Sequence, residues 1–224
     1  MRTFLRQNSL SLFFGVIFLV ALAGQGLAGH ADYNAQQITD GLATISLGRY
    51  LTSSSFAADV AENWQSEYLQ FLLYILATVW LLQRGSPESK ELDKAGIESD
   101  QEQKIGPYAE DTSPAAARRG GLITTLYANS LGLVMGSIFV ASWGMQSWAG
   151  QVAFNEEQLA QLQAPVSWGE YLASPDFWNR TLQNWQSEFL AVGSMAVLSI
   201  YLRQRGSPES KPVGSAHTTT GIEG

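Results

Sequence analysis

NWQSEYLQFLLYILATVWLLQRGSPESK, residues 63–90, returns as NWQSEFLAVGSMAVLSIYLRQRGSPESK, residues 184–211. In both copies a polar pentapeptide ending in a carboxylate, Glu67 or Glu188, runs straight into an apolar segment. An identical octapeptide closes each one. Sliding the chain by about 121 residues extends the match without a gap, NSLSLFFGVIF onto NSLGLVMGSIF and GRYL onto GEYL. About 34 of about 85 positions coincide over 6–90 and 127–211, which reads as a tandem repeat.

Working outward, four blocks carry no Lys, Arg, Asp or Glu: 10–28, 68–82, 122–143 and 189–202. The second and fourth are about 14 or 15 residues, short of the roughly 20 that a helix needs to cross a bilayer core. Gln83-Arg84-Gly85-Ser86-Pro87 and Gln204-Arg205-Gly206-Ser207-Pro208 read as helix stops, because Gly suits a left-handed cap and Pro cannot continue the helix. The missing length must therefore come from NWQSE. The expected fold is an all-α membrane protein of four transmembrane helices, a tandem repeat of two helical hairpins. An even number of spans per unit inserts both hairpins the same way up, with a pseudo-twofold axis along the membrane normal.

The first hairpin repeat is assigned to 1–90, with spans at about 8–29 and 60–83. A polar linker, 91–120, is too poor in large apolar residues for a core of its own. The second repeat is 121–211, with spans at about 121–147 and 181–204, and 212–224 reads as a flexible tail in which His217 has no assigned task. The basic start and apolar run of the N-terminus also resemble a cleaved secretory signal. The run is longer than the usual signal core and has a mid-chain equivalent, so a retained span is expected. Arg49 and Arg180 alone fall between paired spans, and the other 11 of the 13 Lys and Arg lie on the opposite side. Both termini are then expected to be cytoplasmic in a multi-pass membrane protein.

Composition narrows the chemistry. The 224-residue chain has no cysteine, which removes disulfides and thiolate sites, and its net charge of −7 does not suit nucleic acid. No cofactor motif, metal-ligand cluster or nucleophile with a base is evident, so no enzyme is expected. His30, at the end of the first span, has no ligand companions and corresponds to Gln151.

The polar residues at membrane depth are the candidate site. Counting back from Gln83 places Glu67 about 24 Å up the helix, just inside a 30 Å core. The same count from Asn8 brings Gln25 level with Glu67, and Gln146 level with Glu188. These four could lock each hairpin by hydrogen bonds, could reach the outer interface, or could hold a proton or cation. Trp64 and Trp185 suit an interfacial aromatic belt. Small residues on the first helix of each unit, Gly15, Gly24, Gly26, Gly29, Gly136, Ser137, Gly144 and Gly150, permit close helix approach. Between paired spans, Ser174-Pro175-Asp176 predicts a helix start, with Ser as N-cap and Pro at the first position. QRGSPESK lacks the Walker pattern. A helix stop with a basic anchor accounts for Arg84, Gly85 and Pro87, and for Arg205, Gly206 and Pro208. It leaves the duplication of Glu88, Ser89 and Lys90 unexplained, and a cytoplasmic contact is one reading of it.

NWQSE followed by QRGSPESK, duplicated over nearly the whole chain, resembles a family of small bacterial inner-membrane proteins that carries only a domain-of-unknown-function label. The resemblance implies a four-span membrane protein and brings no activity with it. The expected role is a structural or accessory membrane subunit, whose partners are the lipid bilayer and a second copy or another membrane protein. The alternative is a small proton or cation channel or carrier that uses the paired Glu67 and Glu188.

Overall fold

A computed structural model describes residues 2–221; the end of the expected flexible tail, 222–224, lies outside the described residues. Every regular element among the described residues is helical, as the composition of the blocks requires. In chain order these are α1 (Arg2–Gln7), α2 (Ser9–Thr39), α3 (Leu47–Leu51), α4 (Ser54–Trp80), α5 (Ala115–Arg119), α6 (Gly121–Ala128), α7 (Ser130–Ala160), α8 (Trp168–Leu172) and α9 (Pro175–Tyr201). One 3-10 turn lies at Gly106–Tyr108.

Equivalent elements have equal lengths. α2 and α7 each have 31 residues, α3 and α8 each have 5, and α4 and α9 each have 27. The start of α9 at Pro175 follows the Ser-Pro-Asp signal, and the Ser174 hydroxyl accepts the Phe177 amide at 3.3 Å. Ser53 does the same for Phe56.

Three expectations stand differently against the structure. First, α2 alone is long and apolar enough to cross a membrane as one helix among the described residues. α6 and α7 qualify only as a pair bent by 63°. The N-terminal helix is then a membrane span or a signal sequence, and four continuous spans are not what the helices alone display. Its most apolar 18-residue window is only 6% buried, unlike the core helix of a soluble domain. Second, the bend falls at Asn129, inside the expected 121–147 span. The Asn129 amide donates to the Thr125 carbonyl (2.8 Å) and the Ser130 hydroxyl to Tyr127 (2.7 Å), so side chains compete with the backbone ladder. Asn8 and Ser9 make the equivalent bonds to Phe4 and Arg6 at the break before α2.

Third, the glycines of QRGSPESK do not cap the helices. α4 ends at Trp80 and α9 at Tyr201, short of Gly85 and Gly206. Both glycines do take the left-handed conformation, φ +87° and +84°, but within a later turn closed by Ser86 N–H to Gln83 O (3.1 Å) and Ser207 N–H to Gln204 O (3.2 Å). The Ser89 and Ser210 hydroxyls accept the Gln83 and Gln204 amides, each at 2.9 Å, which draws the chain out of the helical path before glycine is reached.

The chain divides into two compact units. One holds the residues up to Ala61 with Gly144–Phe177, and the other holds Glu62–Trp143 with the residues from Trp178 onward. The first unit gathers α3 and α8 with their connections. Asn34 brackets Ile45, its Oδ1 accepting the Ile45 amide (2.8 Å) and its Nδ2 donating to the Ile45 carbonyl (3.0 Å). Asn155 brackets Val166 in the same way, at 2.8 and 2.9 Å. Tyr50 and Tyr171, 2% and 1% exposed, lie against Gly29 and Gly150, where a Cβ would strike the tyrosine hydroxyl. Of the glycines assigned to close packing, Gly26, Gly29, Gly136 and Gly150 meet neighbours, whereas Gly15, Gly24 and Gly144 face open space.

Candidate functional site

In the second unit, α4 and α9 carry the two NWQSE copies into different environments. Gln65 is fully buried and its Oε1 accepts the Trp185 indole N–H at 2.8 Å. Gln186, its counterpart, is exposed. Trp185 is half-buried, its ring 6.1 Å from that of Trp143, while Trp64 is 40% exposed. Two tryptophans assigned to one interfacial belt therefore differ, one facing out and one packed inward. Glu67 is exposed and Glu188 half-buried. Just before them, Arg180 donates to Glu62 at 3.3 Å.

The other two candidate polar residues are Gln25 and Gln146. Gln146 is 1% exposed and Gln25 half-buried, and both belong to the first unit, whereas both carboxylates belong to the second. His30 Nε2 bonds the Ile45 carbonyl at 2.7 Å, and Gln151 Nε2 donates to Val166 O at 2.9 Å. His30 is thereby a structural donor that a glutamine replaces in the other copy. No group of three or more metal-ligating side chains occurs among the described residues.

The pair of QRGSPESK turns, also in the second unit, is densely hydrogen-bonded. Lys90 is partly exposed. It donates to Gly96 O at 2.7 Å and pairs with Glu98, and the Gly96 amide reaches back to Val79 O at 2.7 Å. The hydrogen bond from Lys90 holds the Glu98 carboxyl below its ordinary pKa. Glu88 accepts the Tyr74 hydroxyl from α4. Together these bonds fasten the start of the linker to the end of the helix.

Lys211, at the same place in the second octapeptide, is 1% exposed. Its ammonium is surrounded by the carbonyls of Gly85 (2.6 Å), His217 (3.0 Å), Thr219 (3.1 Å) and Ala216 (3.3 Å). Burial, and then the charge of Arg203, push its pKa down, and the ring of carbonyl oxygens is what offsets that. The segment after Lys211 thus folds back over the first turn. Thr220 Oγ1 accepts the Gly85 amide (2.9 Å), Gly221 N–H donates to Ser86 O (3.1 Å), and His217 Nδ1 bonds Ile200 O (3.0 Å). Arg203 caps the end of α9, donating to Ser199, Ile200 and Leu202 carbonyls and to Ser215 O.

Sequence reasoning missed these roles for Lys211, Arg203 and His217. The signal present was the unchanged Glu-Ser-Lys after each turn, which the structure accounts for: the serine accepts the amide that precedes the turn and the lysine donates to main-chain carbonyls. Only Glu88, which accepts the Tyr74 hydroxyl, has this partner, since Met195 stands at the equivalent place on α9.

Residues 1–222 match the model of a family described as a domain of unknown function (DUF6766), and the chain belongs to that family. No curated protein and no solved structure matches it.

Proposed function

We propose that this member of the DUF6766 family is an integral protein of the bacterial inner membrane, built as a tandem repeat of two helical hairpins with four spans and both termini cytoplasmic. In this reading it is a structural or accessory subunit, whose polar side chains serve to hold the bundle and its loops rather than to turn over a substrate. The observation that supports it is the almost complete exposure of the apolar face of α2, which lipid or a membrane partner would cover. The equal lengths of equivalent helices support the repeat.

Because the chain has no cysteine, single introduced thiols report topology directly. Leu162→Cys, at a position 96% exposed, is expected to react with an impermeant maleimide in intact spheroplasts. Ser99→Cys in the linker is expected to react only after permeabilisation. Equal labelling of both would break the four-span reading. An accessory subunit should migrate with a larger membrane complex after extraction in native lipid, and migration solely as a monomer would count against that role.

The equivalent places of Glu67 on α4 and Glu188 on α9 support a second reading, a small channel or carrier in which the pair binds a proton or cation. Purified protein in proteoliposomes would then pass protons or cations, and Glu67→Gln with Glu188→Gln would abolish the flux. Absence of flux under any cation gradient removes this reading.

A further inference from the structure

A cavity of about 360 Å³ in the second unit is lined by α4, α9 and both octapeptides, and every residue lining it has its repeat counterpart in the lining as well. Glu88 of the first octapeptide is matched by Glu209 of the second, about 121 residues on. Tyr74 of α4 is matched in the same way by Met195 of α9, Phe71 by Val192 and Gln70 by Ala191. The duplicated glutamates therefore share one cavity, while the helices around them have diverged. α9 offers only apolar side chains, and α4 offers a phenyl ring, a phenol and an amide. Neither carboxylate pairs with a Lys or Arg among the described residues, since Lys90 is taken by Glu98 and Lys211 and Arg203 by main-chain carbonyls. Glu88 accepts the Tyr74 hydroxyl, a neutral donor that leaves its charge in place. The Gln70 Oε1 atom is out of reach of water and has no donor.

We propose that this cavity binds a primary organic ammonium, its charged head held by Glu88 and Glu209 with Gln70 Oε1 as a further acceptor, and its hydrocarbon body against Phe71, Val192 and Met195. Two carboxylates without a counter-charge call for a cation, and a buried acceptor without a donor calls for an N–H. A primary ammonium supplies both, since it carries one charge and three N–H donors. The apolar side of the lining asks in addition for a guest with a hydrocarbon part, and the volume is that of a small-molecule pocket. A multivalent metal ion fits less well, because no group of three or more His, Asp or Glu side chains gathers among the described residues. The site goes beyond the accessory role, and it uses neither Glu67 nor Glu188.

The test titrates the full-length protein in lipid nanodiscs with 2-phenylethylammonium by equilibrium dialysis, with empty nanodiscs as the blank. Saturable binding is expected. Glu88→Gln and Glu209→Gln should each weaken it at least about tenfold, as for loss of a charged hydrogen bond, and the two together should weaken it further. The uncharged analogue 2-phenylethanol should compete poorly. Met195→Phe, which narrows the cavity and touches no polar group, should weaken binding with both acids in place. Glu67→Gln with Glu188→Gln should leave it unchanged, so that failure here and failure of the channel reading are told apart. The inference is overturned if no saturable binding occurs, if the Glu88→Gln, Glu209→Gln protein binds as well as the parent, or if the alcohol binds as tightly as the amine. It is also overturned if potassium displaces the amine mole for mole, which marks a site for an inorganic ion. Should the paired glutamines lose the helical circular dichroism of the parent, Met195→Phe decides in their place, and unchanged binding there overturns the inference.

Discussion

Lys90 and Lys211 end the same eight residues, yet one lies at a half-open corner with a carboxylate and the other is enclosed by carbonyl oxygens. The turn itself is common to both copies, fixed by glycine at positive φ and by the serine that takes the amide before it. What differs is the chain that follows. Glu91 to Glu98 brings an acid within reach of Lys90, whereas Pro212 to Thr219 brings no acid and must answer the ammonium with main-chain oxygens. An identical motif thus fixes a local geometry and leaves its electrostatic role to its neighbours.

The comparison breaks most visibly at the lysines. Lys211→Met would leave several buried carbonyls without a donor and should cost about 3 kcal/mol. Lys90→Met should cost under about 1 kcal/mol, as for an exposed pair. Denaturant titration followed by tryptophan fluorescence measures both, and equal costs would dissolve the distinction. Next come the glycines. Gly206→Ala should cost about 1 to 2 kcal/mol, the ordinary strain of a left-handed alanine. Gly85→Ala should exceed it, because the methyl also meets His217 and Ile200, and should expose the tail to protease. Ser89→Ala and Ser210→Ala should match each other at about 1 kcal/mol, since here the two copies make the same bond.

The smallest effect is in acid. The Glu98 pKa is lower in the fold than in the unfolded chain, so its contribution is present above the unfolded value, about 4.3 for Glu. It is lost as pH falls through the folded value. Because the pair is about a third exposed, the loss is small. Hydrogen exchange at pH 3.5 against pH 7 should loosen the linker around Gly96 and leave the tail around His217 protected by comparison, as carbonyl acceptors do not titrate. Simultaneous loosening of both would show that the tail too depends on a titrating side chain.

Much of the fold was legible, and for identifiable reasons. Ser174-Pro175-Asp176 marked the start of α9 because capping is a matter of a few adjacent residues. The helix ends were less legible. Gly85 and Gly206 carry the left-handed signal that a helix cap shares with a type II turn, and only the reach of Ser89 and Ser210 decides between them. The bend at Asn129 was hidden because an asparagine within an apolar block reads as a depth marker until its amide is seen on Thr125. At the candidate site, spacing alone put Glu67 and Glu188 at equivalent levels of α4 and α9. Spacing could not divide Gln65 from Gln186, because burial depends on which face of each helix meets Trp185 or its counterpart.

The asparagine brackets have a practical consequence. Asn34 and Asn155 each tie a main-chain amide and carbonyl 11 residues away, so the ends of both connections are clamped regardless of what lies between. Gly41 and Leu162 sit at the tips of these connections, both at positive φ, with open space around the first and 96% exposure at the second. A short epitope or a fluorophore-binding tag spliced in at either tip would enlarge a loop whose closure entropy grows only slowly with length. The clamps make these two places ready-made sockets for a reporter.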